Sequence, residues 1–178
     1  LNYRVGPNHL SGVATLQLDN WKPLPAMTLD LAPGMRVARI TAQGSAGQAV
    51  QVSRFRQSGG KLRIFFAQEV PVDSEFSLTI RYSGTPRPIR SPWGDIGWEE
   101  LENGALVASQ PIGAPSWFPC DDTPDEKARY EIVVTTDNPY AVAVNGTLLS
   151  KKTAGSSTTW HYQVDHPMAS YLATIQIG

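Results

Sequence analysis

The stretch Phe76-Ser77-Leu78-Thr79-Ile80-Arg81-Tyr82 alternates apolar and polar residues without a break. A period of two places Phe76, Leu78, Ile80 and Tyr82 on one face of an extended chain, the pattern of a half-buried β-strand. Ser83-Gly84-Thr85-Pro86 ends it with turn-forming residues. The same period recurs in both directions. Leu16 and Leu18 share one face, as do Met27, Leu29 and Leu31, which stop at Pro33-Gly34. Val50 and Val52 lead to Gly59-Gly60, and Leu62, Ile64 and Phe66 follow, so the two glycines predict a tight hairpin. Farther on, Tyr130, Ile132 and Val134 alternate, as do Trp160, Tyr162 and Val164. Asn145-Gly146 predicts a second tight hairpin between Ala141–Val144 and Thr147–Ser150. About ten strands at short spacing predict an all-β chain, an antiparallel saddle or sandwich of sheets. No window of helical length carries a 3.6-residue stripe.

Two segments interrupt this pattern. Residues 86–117 hold Pro86, Pro88, Pro92, Trp93, Gly94, Gly97, Trp98, Gly104, Pro111, Gly113, Pro115 and Trp117. They predict a long irregular excursion of functional or interface character. Thr123-Pro124-Asp125-Glu126 matches a capping box and predicts one short helical turn. Catalytic carboxylates or a calcium loop are the alternatives for these acids, although Asp121, Asp122 and Asp125 lack the spacing and central Gly of an EF-hand.

Composition narrows the function. The 178 residues suit a single β domain spanning 1–178, and 41% apolar with 17% charged residues is a globular balance. Fifteen basic against sixteen acidic residues, with no basic run, argue against a nucleic-acid partner. No apolar run is long enough to span a bilayer. Cys120 is the only cysteine, so no intrachain disulfide or Cys-rich zinc site forms, and a lone cysteine slightly favours the cytosol.

No complete catalytic constellation is present. There is no Gly-x-Ser-x-Gly elbow and no Gly-rich phosphate loop. His9, His161 and His166 do not have the His-Glu-x-x-His spacing of zinc enzymes. A His161–Asp165–His166 metal set is one alternative to ordinary surface histidines. Cys120 reads as a small buried side chain or a reactive thiol. Trp93, Trp98 and Trp117 read either as packing beneath loops or as a sugar-stacking platform, the latter giving a carbohydrate-binding or adhesive module.

The segment from Ala108 to Tyr130, Ala-Ser-Gln-Pro-Ile-Gly-Ala-Pro-Ser-Trp-Phe-Pro-Cys-Asp-Asp-Thr-Pro-Asp-Glu-Lys-Ala-Arg-Tyr, resembles the amino-terminal domain of the aminopeptidase N family of zinc metallopeptidases. Gln110, Gly113, Ala114, Phe118, Pro119, Cys120, Asp122, Pro124, Lys127, Ala128 and Tyr130 match that family's pattern. The Ile80–Pro86 strand end, Asn145-Gly146 and Pro167–Ala173 agree with its flanks. The resemblance implies a non-catalytic β-saddle domain of a zinc aminopeptidase that acts on peptides. Zinc and the catalytic residues would belong to a catalytic domain following residue 178, against which this one packs; no metal ligand or cofactor is expected here. It also implies that Gln110, on an active-site strand, with Gly113 and Ala114, helps bind the substrate's amino end. Ile112 stands where many relatives carry a Glu. An exposed apolar patch around 107–119, centred on Val107, Ile112, Trp117 and Phe118, is expected to face the catalytic domain.

Overall fold

The computed structural model describes residues 1–45 and 49–178. In chain order the first strands are β1 (Asn2–Arg4), β2 (His9–Asn20), β3 (Leu24–Asp30), β4 (Met35–Gly44), β5 (Val52–Ser58), β6 (Lys61–Val70) and β7 (Ser74–Gly84). There follow β8 (Ile89–Ser91), β9 (Gly94–Leu101), β10 (Gly104–Ala108), β11 (Lys127–Asp137), β12 (Val142–Val144), β13 (Thr147–Ala154), β14 (Ser157–Ala169) and β15 (Ile175–Ile177). Among the described residues helical structure is confined to 3₁₀ turns at Ala114–Ser116 and Ser170–Leu172.

The strands make three sheets. A seven-stranded sheet runs β13-β14-β11-β1-β2-β7-β4. A five-stranded sheet runs β12-β15-β10-β9-β8, and a three-stranded sheet runs β3-β6-β5. All pairings are antiparallel except β1 with β11, where Tyr3 lies beside Thr136 in parallel. The β7 alternation fits its expectation: Phe76, Leu78, Ile80 and Tyr82 are buried and Arg81 is exposed. Its neighbours match it in register, Leu16 and Ala42 beside Leu78, and Ala14 and Ile40 beside Ile80.

The buried face of the large sheet meets both small sheets in one core. Phe66 of β6 stands edge-on to Phe76 of β7, with centroids 5.7 Å apart. Tyr3 of β1 stands edge-on to Trp98 of β9 at 4.9 Å. The Tyr162 hydroxyl of β14 donates to the Val142 carbonyl of β12 at 2.7 Å. Burial and the nearby Glu100 carboxylate push the Tyr3 hydroxyl up to about 12.

The Gly59-Gly60 hairpin forms between β5 and β6, with φ of 59° and 78° at the two glycines, as a type I′ turn requires. Three expectations are corrected. Asn145-Gly146 is not a hairpin, because β12 pairs with β15 and β13 pairs with β14. It is a corner between two sheets. The Asn145 amide donates to the Leu172 carbonyl and its oxygen accepts from the Thr174 N–H, at 3.1 and 2.7 Å. The tight turn lies one strand later, at Gly155-Ser156. Half of residues 86–117 form β8, β9 and β10; positive φ at Gly94, Gly97 and Gly104 bends these strands and breaks their alternation. Finally, Thr123–Glu126 is a turn without a helix, closed by the Glu126 N–H on the Thr123 carbonyl. The Thr123 hydroxyl and N–H both go to Asp121 Oδ1, so the cap is spent locally.

Trp98 is wholly buried and touches rings from two other parts of the chain. Trp98→Ala is expected to cost about 3–5 kcal/mol, as for other buried large-to-small aromatic changes. Denaturant titration checks it; a loss below about 1 kcal/mol would show that the two sheets are not joined through this ring.

Candidate active-site elbow

The segment from Ser109 to Cys120 leaves β10 and turns back beneath β9. The Gly113 N–H donates to the Ser109 carbonyl at 2.6 Å and closes the loop around Gln110, Pro111 and Ile112. Gly113 then lies directly against Gly97. A Cβ on Gly113 would come within 2.7 Å of the Gly97 nitrogen, and one on Gly97 within 2.5 Å of the Ser116 Oγ. Gly97 also has φ of +98°, so it is glycine for two reasons. The buried Ser116 hydroxyl fastens the two backbones. It donates to the Gly113 carbonyl at 2.6 Å and accepts from the Trp98 N–H at 2.9 Å.

On this frame, Gln110 is exposed, and its side-chain amide makes no hydrogen bond among the described residues. It lies two residues past the end of β10, in the turn, and not on a strand as the sequence suggested. Ile112 projects from the same turn, 42% exposed. Gly113 and Ala114 are buried beneath it. The expected apolar patch shrinks accordingly. Val107 and Trp117 are core residues, at 2% and 3% exposure, and only Ile112 stands well out. Trp98 and Trp117 are buried, so of the three only Trp93 is exposed and the three-tryptophan stacking platform is removed.

The elbow's second half ties the sheets together. Cys120 makes a two-way backbone bridge to Asp30, the last residue of β3, at 2.7 and 3.1 Å. The Ala32 N–H donates to the Pro115 carbonyl at 2.8 Å. Burial pushes the Cys120 thiol well above its ordinary pKa, with Asp122, Asp30 and Asp121 adding to the rise, so it is a packed side chain and not a poised thiolate. Asp122 accepts from the Ser170 hydroxyl at 2.5 Å. Sequence spacing gave no sign of the Asp30 and Ser170 partners, which arrive from the end of β3 and from the Ser170–Leu172 turn.

The histidines do not converge. His161 Nε2 meets Glu131 at 2.8 Å on an exposed sheet face. Among the described residues no group of three His, Cys, Asp or Glu side chains is placed to hold a metal ion. Nor is any helix long and apolar enough to cross a membrane.

Burial also raises the Asp122 carboxyl pKa above its ordinary 3.8; the Ser170 hydrogen bond opposes the rise and Asp30 and Asp121 add to it. A raised value means that ionisation is harder in the folded chain than in the unfolded one. The stability it contributes is present below the ordinary carboxyl range and is lost as pH rises through the raised value. Asp122→Asn keeps an acceptor for Ser170 but cannot ionise. It should melt above the parent chain at neutral pH, and the gap should close as pH falls below the unperturbed value. Melting curves across pH check this, and a variant that melts lower at neutral pH contradicts it.

Comparison with known proteins accords with this architecture. The family model for the peptidase M1 N-terminal domain matches residues 7–172. Aminopeptidase M1-D of Oryza sativa subsp. japonica is 29% identical over 94% of this chain and 19% of its own length. Leucine aminopeptidase 2 of Coccidioides immitis is 26% identical over 81% of this chain and 24% of its own. Among solved structures, the M1 zinc metallopeptidase from Deinococcus radiodurans superposes with a TM-score of 0.85 at 26% identity, over 99% of this chain and 40% of that one. A mutant of that enzyme bound to a Tyr-Ser-Ala substrate gives a TM-score of 0.82 at 27% identity, over 96% and 38%. The chain thus spans about a quarter or less of these curated relatives and about two fifths of these solved chains. With the matched model covering nearly all of it and the three-sheet fold shared end to end, this chain belongs to the peptidase M1 N-terminal domain family.

Proposed function

We propose that residues 1–178 act as one non-catalytic β domain of a zinc aminopeptidase, packing against that enzyme's catalytic domain and forming one wall of the subsite for a peptide's amino end. The observation that carries this reading is the elbow. Gln110 is the exposed, unpaired polar residue at the head of a loop whose following residues, Gly113 through Trp117, are all buried. A side-chain amide offers an acceptor oxygen to an ammonium or amine and a donor pair to a carbonyl. Because Gly113 and Ala114 are enclosed, their part is to fix the loop against Gly97, not to touch the peptide. Ile112, exposed beside Gln110, would present an apolar wall where a carboxylate would have drawn an amino group.

In this reading the zinc ion is held by the proposed parent's other domain. It would supply Lewis-acid polarisation of the scissile carbonyl and an activated water. This chain's share is binding and orientation.

Two outcomes are expected. The isolated chain should release no chromogenic group from aminoacyl anilides, with or without added Zn²⁺; turnover that scales with chain concentration through repurification would contradict the non-catalytic role. In the full-length enzyme, Gln110→Ala removes a hydrogen bond to a charged group, a contribution of roughly 1.5–3 kcal/mol. The expected fall in kcat/KM is about 10- to 150-fold. The melting temperature should hardly move, because an exposed side chain leaves no cavity. Unchanged kcat/KM, or a loss that follows unfolding, would make Gln110 a structural residue.

A further inference from the structure

The face of the three-stranded sheet turned away from the core is basic, although the chain as a whole carries a net charge of −1. Arg54 lies beside Phe65, Arg56 beside Arg63, and Ser58 beside Lys61. On the other side of β6, Thr28 lies beside Arg63 and Asp30 beside Lys61. Side chains paired across neighbouring strands share a face, so Arg54, Arg56, Arg63 and Lys61 lie on one face, with Arg54 beside Phe65 and Arg56 beside Arg63. The Arg54 and Arg63 guanidinium groups stack on the Phe65 ring, at 4.4 and 5.0 Å from its centroid.

Only the fourth cation is neutralised. Among the described residues the ion pairs are Lys61 with Asp30 and His161 with Glu131. Arg54, Arg56 and Arg63 therefore face no carboxylate. Like charges directly opposite each other on adjacent strands are destabilising, and Arg56–Arg63 is such a pair. Cations on an edge strand are a common guard against aggregation. That accounts for Arg54 and Arg56 on β5, but not for Arg63 on the central strand.

The edge itself is open. Among the described residues β5 is the last strand of its sheet and pairs only with β6, and Ser53 through Arg56 are exposed. Toward its end, the Gln57 amide donates to the Met35 carbonyl and accepts from the Val37 N–H, holding β4 close. Between the two strands lies a groove of about 360 Å³, lined by Pro33, Arg36, Val37, Phe55, Gln57 and Ser58. The edge thus offers arginines on one face and a partly apolar groove on the other.

We propose that the β5 edge is a docking site for an extended acidic segment of a partner protein, added as a further strand. Alternate residues of such a strand lie about 6.6–6.8 Å apart on one face, the spacing of Arg54 and Arg56 along β5. Acidic side chains at every second position meet Arg54, Arg56 and Arg63, and intervening apolar side chains enter the groove over Phe55. Backbone hydrogen bonds supply affinity and the alternating pockets supply sequence preference. This site is separate from the elbow and does not depend on the peptidase reading.

The test uses the 178-residue chain and a fluorescent eight-residue peptide of alternating Glu and Val, blocked at both ends so that an amino-end subsite cannot read it. Anisotropy should show saturable binding. A peptide of the same composition with its glutamates contiguous should bind at least about tenfold more weakly, because it cannot satisfy both faces of a strand. Arg54→Glu with Arg56→Glu should abolish binding of the acidic peptide and confer binding of an alternating Lys and Val peptide. Arg54→Gln with Arg56→Gln relieves the repulsion with Arg63, so it should bind weakly while melting no lower than the parent chain. Equal binding of the contiguous peptide, or of oligothymidylate of the same charge, would show a general anion patch and overturn the proposal. So would retention of binding in the Gln variant.

Discussion

A column of edge-on and tilted aromatic rings holds the molecule together. Tyr3 meets Trp98 at 4.9 Å, Trp98 meets Trp117 at 6.4 Å, Trp117 meets Phe118 at 4.6 Å, and Phe118 meets Tyr130 at 6.3 Å. The rings come from β1, β9, the elbow and β11, so one continuous contact joins the large sheet to a smaller one and returns to the large sheet through the loop. Aromatic pairs in this geometry contribute about 0.5–1.5 kcal/mol beyond their buried area. Their second effect is positional. With Trp98 and Trp117 fixed on either side, the Ser116 hydroxyl is held where it can bond both Gly113 and Trp98. The elbow is rigid because the core runs through it.

Asp30 does related work at the neighbouring junction. Its backbone pairs with Cys120, one carboxylate oxygen meets Lys61, and the other accepts from the Asp122 N–H at 3.4 Å. A single residue thus connects the three-stranded sheet, its basic outer face and the acidic end of the elbow. The sheet's two surfaces carry different duties. One packs Leu29, Leu62 and Ile64 against the large sheet, while the other leaves three arginines without a carboxylate partner among the described residues. Neutral overall composition concealed this segregation, because Arg63 lies on a different strand from Arg54 and Arg56 and joins them only through pairing.

Strands with one buried face were legible from the sequence for a physical reason: a period of two survives wherever a strand is wetted on one side. Phe76 through Tyr82 is the clearest case, and Leu62, Ile64 and Phe66 are another. Legibility failed where glycines bend the chain. β9 carries Gly94 and Gly97 and buries Trp98 beside Gly97, so its pattern does not alternate and it read as a loop. Asn145-Gly146 has the composition of a hairpin, but the identity of the partner strands is a tertiary fact. Thr123 has the composition of a cap, but Asp121 reaches its hydroxyl first. At the elbow, Gln110, Cys120 and Asp122 were legible only through resemblance to a family. What Cys120 and Asp122 touch depends on Asp30 and Ser170, at sequence separations no local pattern encodes.

The parallel pairing of β1 with β11 sets the order in which the molecule can be assembled. β1 lies between β2 and β11 and closes the large sheet, yet its partner begins more than a hundred residues later. While the chain is being synthesised, β2, β4 and β7 can form a small antiparallel sheet, but the edge at β1 stays bare until β11 and β14 emerge from the ribosome. Closing so long a loop carries an entropic cost before any contact offsets it, and sheets rich in such pairings form slowly. An exposed edge in the waiting intermediate is a template for the wrong partner strand. The join between the two halves of the sheet therefore waits for the second half of the chain, and its bare edge is a point at which a newborn chain is vulnerable to mispairing.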